Sequence, residues 1–144
     1  MSFSIDANLL IYASDRDSPH FQKATAFLSQ AVADPEIMYI TWPTVFAYLR
    51  IATHPGVFEK PLPPQVALQN IDSLLEARNT RTIGEGDDFW AAYTKQNADQ
   101  VIRGNLVPDA QLAALLLSNG VKRLFTRDRD FLKFPDLEVI DPFE

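Results

Sequence analysis

The sequence predicts an α/β fold, a parallel central sheet flanked by helices, and three features of the chain point to it. Short β-prone stretches recur at Phe3–Ile5, Met38–Thr41, Thr80–Ile83, Val121–Phe125 and Leu137–Ile140. Longer runs with apolar residues at helical spacing lie between most of them, and strands alternating with helices give crossover units whose strands run parallel. Several strand ends also lead directly into a helix-opening turn: at Asp6, at Trp42-Pro43-Thr44 and at Thr126–Phe131. A length of 144 residues suits one domain spanning 1–144 around one sizeable core.

In chain order, Phe3–Ile5 is an apolar strand that runs into Asp6, and the helix after it carries Leu9, Leu10 and Tyr12. Ser18-Pro19 is expected to open a second helix, with proline in its first turn and Phe21, Ala24, Phe27, Leu28 and Ala31 at helical spacing. Met38–Thr41 is a strand, and Trp42-Pro43-Thr44 starts a third helix that ends at Thr53-His54-Pro55-Gly56. A proline-rich connection, Phe58 to Pro64, leads to a helix over Gln65–Ala77, expected to turn Val66, Leu68, Ile71, Leu74 and Leu75 inward. After the Thr80–Ile83 strand, Gly84–Asp88 is a turn before a helix bearing Phe89, Trp90 and Tyr93. Ala98–Leu106 reads as a loop. The helix opened by Val107-Pro108-Asp109 is apolar nearly all round, hence buried, and Asn119-Gly120 stops it.

Composition narrows the function classes. Hydrophobic residues are 47% and charged residues 22%, as in an ordinary globular protein. No apolar run reaches the roughly 20 residues that cross a bilayer, and Met1-Ser2-Phe3-Ser4 lacks the positive region of a signal peptide, so a cytoplasmic protein is expected. There are no cysteines and only two histidines, His20 and His54, which excludes thiolate sites and a multi-histidine zinc site within one chain. The net charge of −6 makes the chain a poor general binder of polyanions. A divalent cation or a basic partner would reconcile it with a phosphate substrate.

Acidic residues occupy comparable places along the chain. Asp6 follows the first strand, Asp109 opens a helix, and Asp128 and Asp130 follow the strand before Thr126. With parallel strands, these carboxylates converge on one sheet edge, where ligands bind in open α/β folds. Converging carboxylates suit Mg²⁺ or Mn²⁺, and such a site can activate water against a phosphodiester. Each acid also has a purely structural reading. Asp6 or Asn8 caps the first helix, Asp109 is a favourable charge in a first turn, and Asp128 and Asp130 cap a short helix with Thr126 as N-cap.

Four stretches together resemble the PIN-domain family, and within it the VapC toxins of type II toxin–antitoxin systems: Ile5–Leu10, Tyr48–Pro55, Gly104–Leu115, and Thr126–Phe131 followed by Phe134–Leu137. The resemblance spans essentially the whole chain in the right order. It implies a single PIN-like nuclease domain and a Mg²⁺- or Mn²⁺-dependent endoribonuclease acting on cellular RNA such as tRNA or rRNA. It implies Asp6, Asp109 and Asp128 as metal ligands and catalytic acids, with Asp130 as a further acid. A VapB-type antitoxin and a homodimer are the implied partners. One departure stands out: many PIN domains carry a glutamate early in the third helix, and the corresponding position here is Ala47.

Arg50, Arg103, Arg127 and Arg129 lie nearest the acids in sequence and are the candidates for RNA phosphate contacts, against a reading as solvated surface charge. Three other classes compete. A haloacid-dehalogenase-type phosphatase would need an acid where Asn8 stands. A DNA-directed metal nuclease shares the chemistry. A catalytically weak RNA-binding module would explain Ala47.

Overall fold

The computed structural model describes residues 1–144. Its sheet has five strands: β1 (Phe3–Ile5), β2 (Met38–Thr41), β3 (Thr80–Ile83), β4 (Arg123–Phe125) and β5 (Glu138–Ile140). They lie in the order β3-β2-β1-β4-β5, and every pairing is parallel. β1 is central, with Ser4 opposite both Tyr39 and Leu124. Six helices surround the sheet: α1 (Ala7–Ser14), α2 (Phe21–Ala33), α3 (Trp42–Ala52), α4 (Pro64–Leu75), α5 (Phe89–Gln96) and α6 (Leu106–Ser118). A 3-10 turn, Arg129–Lys133, links β4 to β5. No helix is long and apolar enough to cross a membrane.

Alternation along the strands divides the core into two faces. Phe3, Ile5, Met38 and Ile40 point to the side covered by α1–α4, where they pack with Leu9, Val45, Tyr48, Ile71 and Leu74. Leu124 points to the other side, against Ala113 and Leu116 of α6 and Phe131 and Phe134. Since the strands are parallel, the carboxyl ends of β1, β2 and β4 open onto one edge, and Asp6, Trp42 and Thr126 stand there.

Local chemistry sets the helix boundaries. Asp6 is the N-cap of α1, its carboxylate accepting from the Ala7 N–H at 2.7 Å. Thr41 caps α3 by accepting from the Thr44 N–H at 3.2 Å, with Pro43 in the first turn. α6 ends as the Asn119-Gly120 pair predicts. Gly120 takes φ +75°, the Val121 N–H returns to the Leu116 carbonyl and the Gly120 N–H to the Leu117 carbonyl, a Schellman closure.

Four boundary expectations are corrected. α2 begins at Phe21, so Pro19 lies before the helix, in a turn where Ser18 Oγ accepts from the His20 N–H. On α4, Val66 and Leu68 are exposed, and the inward stripe is Ala67, Ile71 and Leu74. A small residue at a core position defeats a reading based on large apolar side chains. β4 starts at Arg123, because Val121 is still completing the α6 stop. Asp128, not Thr126, is the N-cap of the 3-10 turn, accepting from the Asp130 N–H at 2.9 Å.

Candidate metal centre

Asp109 sits in the first turn of α6, where the helix dipole favours negative charge. Asp128 and Asp130 lie at the start of the 3-10 turn after β4. Each of these three offers a carboxylate oxygen within 4.8 Å of the others, although Asp109 lies on a different element from the other two. Asp6 is outside that tight group. It lines the same cavity of about 260 Å³ as Asp109 and Asp128, together with Asn8, Ala47 and Gln111. Relative to the sequence-derived set of Asp6, Asp109 and Asp128, the tightest grouping therefore includes Asp130 and leaves Asp6 at the cavity wall.

Asp6 is held from both sides. One oxygen accepts from the Ala7 N–H, and the other accepts from Thr126 Oγ at 2.8 Å. Thr126 Oγ accepts in turn from the Asp128 N–H at 2.9 Å and from Asn8 Nδ2 at 3.3 Å. That hydroxyl thus uses its one proton and both acceptor positions. It couples the end of β1 to the turn after β4. Asp6 and the Phe125 carbonyl are joined as well, by the Asp6 backbone N–H at 3.0 Å. Asn8 Oδ1 is buried without a partner on the cavity wall.

The electrostatics show a site short of positive charge. Burial pushes the Asp6 carboxyl up from its ordinary value; the bonds from Thr126 and Ala7 pull it back, and Asp128 pushes it further up. Asp109 is pushed up to about 7, first by burial and then by the carboxylates of Asp128, Asp6 and Asp130, with Lys133 opposing. Asp6 therefore acts on Asp109 through its field although it is outside the 4.8 Å group. Clustered hard oxygen donors whose mutual repulsion raises a pKa are the donor set that Mg²⁺ or Mn²⁺ fits.

Residues 4–137 match the model of the PIN domain. The chain belongs to the PIN-domain family. This PIN domain is 38% identical to ribonuclease VapC48 of Mycobacterium tuberculosis over 143 residues, covering 99% of each chain. It is 30% identical to ribonuclease VapC43 of the same organism, covering 97% of this chain and 95% of that one. Among solved structures, VapBC-1 from nontypeable Haemophilus influenzae has a TM-score of 0.65 at 18% identity and covers 100% of both chains. FitAcB from Neisseria gonorrhoeae has a TM-score of 0.67 at 20% identity and covers 98% of both. M. tuberculosis VapC20, a sarcin-ricin loop cleaving toxin, has a TM-score of 0.66 at 12% identity, covering 90% of this chain and 92% of that one. Within the family, the curated relatives place this PIN domain with the VapC proteins.

The position that departs from many PIN domains faces the site. Ala47 is on the wall of the acidic cavity, with Pro43, Thr44 and Ile51 of the same helix. No acid of α3 reaches it, because α3 has none. The arginines fare differently from one another. Arg127 is engaged, its Nε 3.1 Å from an Asp141 oxygen and its guanidinium 5.0 Å from the centre of the Phe143 ring. Arg50, Arg103 and Arg129 are exposed and make no ion pair. Sequence reasoning missed the role of Thr126 as a bridge. A hydroxyl at a strand end signals a cap, and nothing in its spacing reveals a partner 120 residues away.

Proposed function

We propose that this PIN domain is a VapC-type toxin: a cytoplasmic, Mg²⁺- or Mn²⁺-dependent endoribonuclease that cleaves cellular RNA and is held inactive by a VapB-type antitoxin. The observation that carries this reading is the approach of Asp109, Asp128 and Asp130 to within 4.8 Å at the carboxyl edge of a parallel sheet. Full-length relatives named as VapC ribonucleases support it, as do structural neighbours from toxin–antitoxin complexes.

Asp109, Asp128 and Asp130 would hold the cation, with the Asp6 carboxyl at the cavity wall beside them. A divalent cation there supplies positive charge that polarises a phosphodiester and acidifies water. The residues of the chain do the rest. Thr126 fixes Asp6 relative to Asp128. Buried Leu112 and Phe131 on the cavity wall limit solvent and strengthen the field of the acids. Asn8 Oδ1 presents an acceptor with no donor from the protein.

An acidic groove suits a basic antitoxin segment, whose arginine or lysine would make charge-assisted hydrogen bonds to these carboxylates. A homodimer is part of the same proposal. Trp42 and Phe46, one turn apart on α3, are 42% and 64% exposed and offer neighbouring apolar surface to a second copy.

Incubation of total RNA, tRNA, rRNA and DNA with the protein in Mg²⁺, Mn²⁺ or EDTA tests the reading. Discrete RNA fragments that vanish in EDTA are expected, with DNA intact. Ala47 favours a second reading, a catalytically weak RNA-binding module, since the cavity has a methyl group where many family members have a carboxylate. RNA that is bound but uncut in either metal would decide for it, and cleaved DNA would decide for a DNA-directed nuclease.

A further inference from the structure

The 3-10 turn after β4 carries an acid and a base on one face. Its three residues per turn stack side chains three positions apart. Lys133 therefore lies over Asp130, its ammonium nitrogen 3.7 Å from an Asp130 oxygen. Asp130 belongs to the acid cluster, within 4.8 Å of Asp109 and Asp128. No other basic side chain pairs with any of these three acids. Arg129 stands on the same turn, but one residue before Asp130 it points about a third of a turn away. The field of Lys133 reaches Asp109 as well, where it opposes the upward push on that carboxyl.

The pair does not hold the turn. Both side chains are more than half exposed, and an exposed ion pair contributes little to stability. The turn is held instead by Phe131 and Phe134, 1% and 2% exposed, and by the Phe134 N–H donating to the Phe131 carbonyl at 3.1 Å. The Gln100 amide donates to the Lys133 carbonyl at 2.8 Å. The backbone of Lys133 is thus fixed, while its ammonium is not: 3.7 Å is too long for a hydrogen bond. Three N–H donors stay uncommitted beside the acids, and they meet an electrostatic need. One divalent cation offsets only two of the three carboxylates that would hold it. A phosphate entering the site would still meet net negative charge, in a chain of net charge −6. An ammonium at the rim reduces that repulsion.

We propose, resting on the ribonuclease reading above, that Lys133 is a substrate-binding residue. It pairs with Asp130 and, with that carboxylate committed to a cation, donates to a non-bridging oxygen of the RNA phosphodiester at the acid cluster. Ammonium and divalent cation compete for Asp130 but act together on the phosphate. Loss of the lysine therefore has opposite signs in metal binding and in RNA binding.

Lys133→Gln tests this, since the fold does not depend on an exposed ammonium. Calorimetric titration with Mn²⁺ alone should show the variant binding roughly twofold to fivefold more tightly than wild type, the scale of one exposed ion pair. Cleavage of a single-stranded RNA at saturating Mn²⁺ should show kcat/KM lower by roughly tenfold, the scale of one hydrogen bond to a charged group. The loss should come through KM, because the phosphate carries its charge before the transition state. The slope of log kcat/KM against log salt should become shallower by about 0.7, the value for one lost single-strand phosphate contact. Lys133→Arg should return all three towards wild type. If the wild type binds RNA without cutting it, Kd replaces kcat/KM in the same comparison. A metal affinity that is unchanged or lower in Lys133→Gln makes the lysine a bystander or a prop of the cluster and overturns the proposal. So does an RNA response with wild-type kcat/KM and salt slope, and either result leaves the ribonuclease reading standing. A wild type that neither binds nor cleaves RNA overturns both.

Discussion

On one side of the sheet, α1–α4 close over a cluster of fourteen buried residues that includes Tyr48, Ile5, Leu9 and Met38. On the other, α6 and the 3-10 turn enclose nine, and α5 contributes no buried residue. The heavier side delivers a single candidate site acid, Asp6, half-buried and with both oxygens hydrogen-bonded. The lighter side delivers half-buried Asp109 and Asp128 and exposed Asp130, which leave most of their oxygens free of protein donors. The difference separates two tasks. A rigid half fixes the position of the site, while a lightly packed half holds the groups that must stay available to a cation and a substrate.

The widest contrast should appear in stability. Leu9 is fully buried on the heavy side, and Leu9→Ala should cost about 2–5 kcal/mol through lost burial and a cavity. Trp90→Ala on α5, whose side chain is 67% exposed, should stay within about 0.5 kcal/mol. Urea denaturation of both variants measures the gap, and equal losses would erase the division between the halves.

Asp109→Asn should reverse the usual relation of site and stability. RNA cleavage should fall by about 10²-fold or more, the scale of losing one preorganised electrostatic group, while the metal-free protein gains stability. The sign follows from the raised pKa. Between the ordinary 3.8 and about 7 the folded Asp109 retains a proton that the unfolded chain has lost. Stability of the metal-free protein therefore falls as pH rises through that window, and levels off above it. Thermal melts in EDTA should show this fall in the wild type and a flatter profile in Asp109→Asn. Mg²⁺ or Mn²⁺ should raise the melting temperature of the wild type by ligand linkage, and of the variant much less.

Thr126→Val probes the link between the halves. It keeps the shape of a fully buried residue but leaves Asp6, Asn8 and the Asp128 N–H each short of a partner. A loss of about 1–3 kcal/mol is expected, with weaker metal binding by calorimetry; Thr126→Ser should recover both. Unchanged metal affinity in Thr126→Val would mean that the two halves hold their acids independently.

The smallest effect is expected from moving an acid onto the heavy side. Ala47→Glu should add a carboxylate to the cavity wall and raise metal affinity nearly tenfold, roughly 1 kcal/mol. Calorimetric titration of both proteins measures it, and an unchanged affinity in a folded variant would show that position 47 does not reach the cation.

Both sides were legible in outline from the sequence. The order of strands and helices, the parallel sheet and the stop at Asn119-Gly120 follow from periodicity and turn chemistry, and the structure has all of them. Asp6, Asp109 and Asp128 could be named because strand ends and helix starts share one edge of a parallel sheet. What was hidden depends on distances between segments far apart in sequence. Asp130 stands closer to Asp109 than residue spacing reveals, since a 3-10 turn brings it round. Arg127 reads as a free cation until Asp141 and Phe143 close over it. Ala67 carries too little apolar area to mark the inward stripe of α4.

The bond between Thr126 and Asp6 spans 120 residues, and β1 meets β4 only across the same interval. A chain emerging from the ribosome amino end first can pair β1 with β2 early, yet it lacks Asp109, Asp128 and the hydroxyl that orients Asp6 until almost all of it has been made. Each new molecule is therefore inert towards the RNA of the machine that is making it.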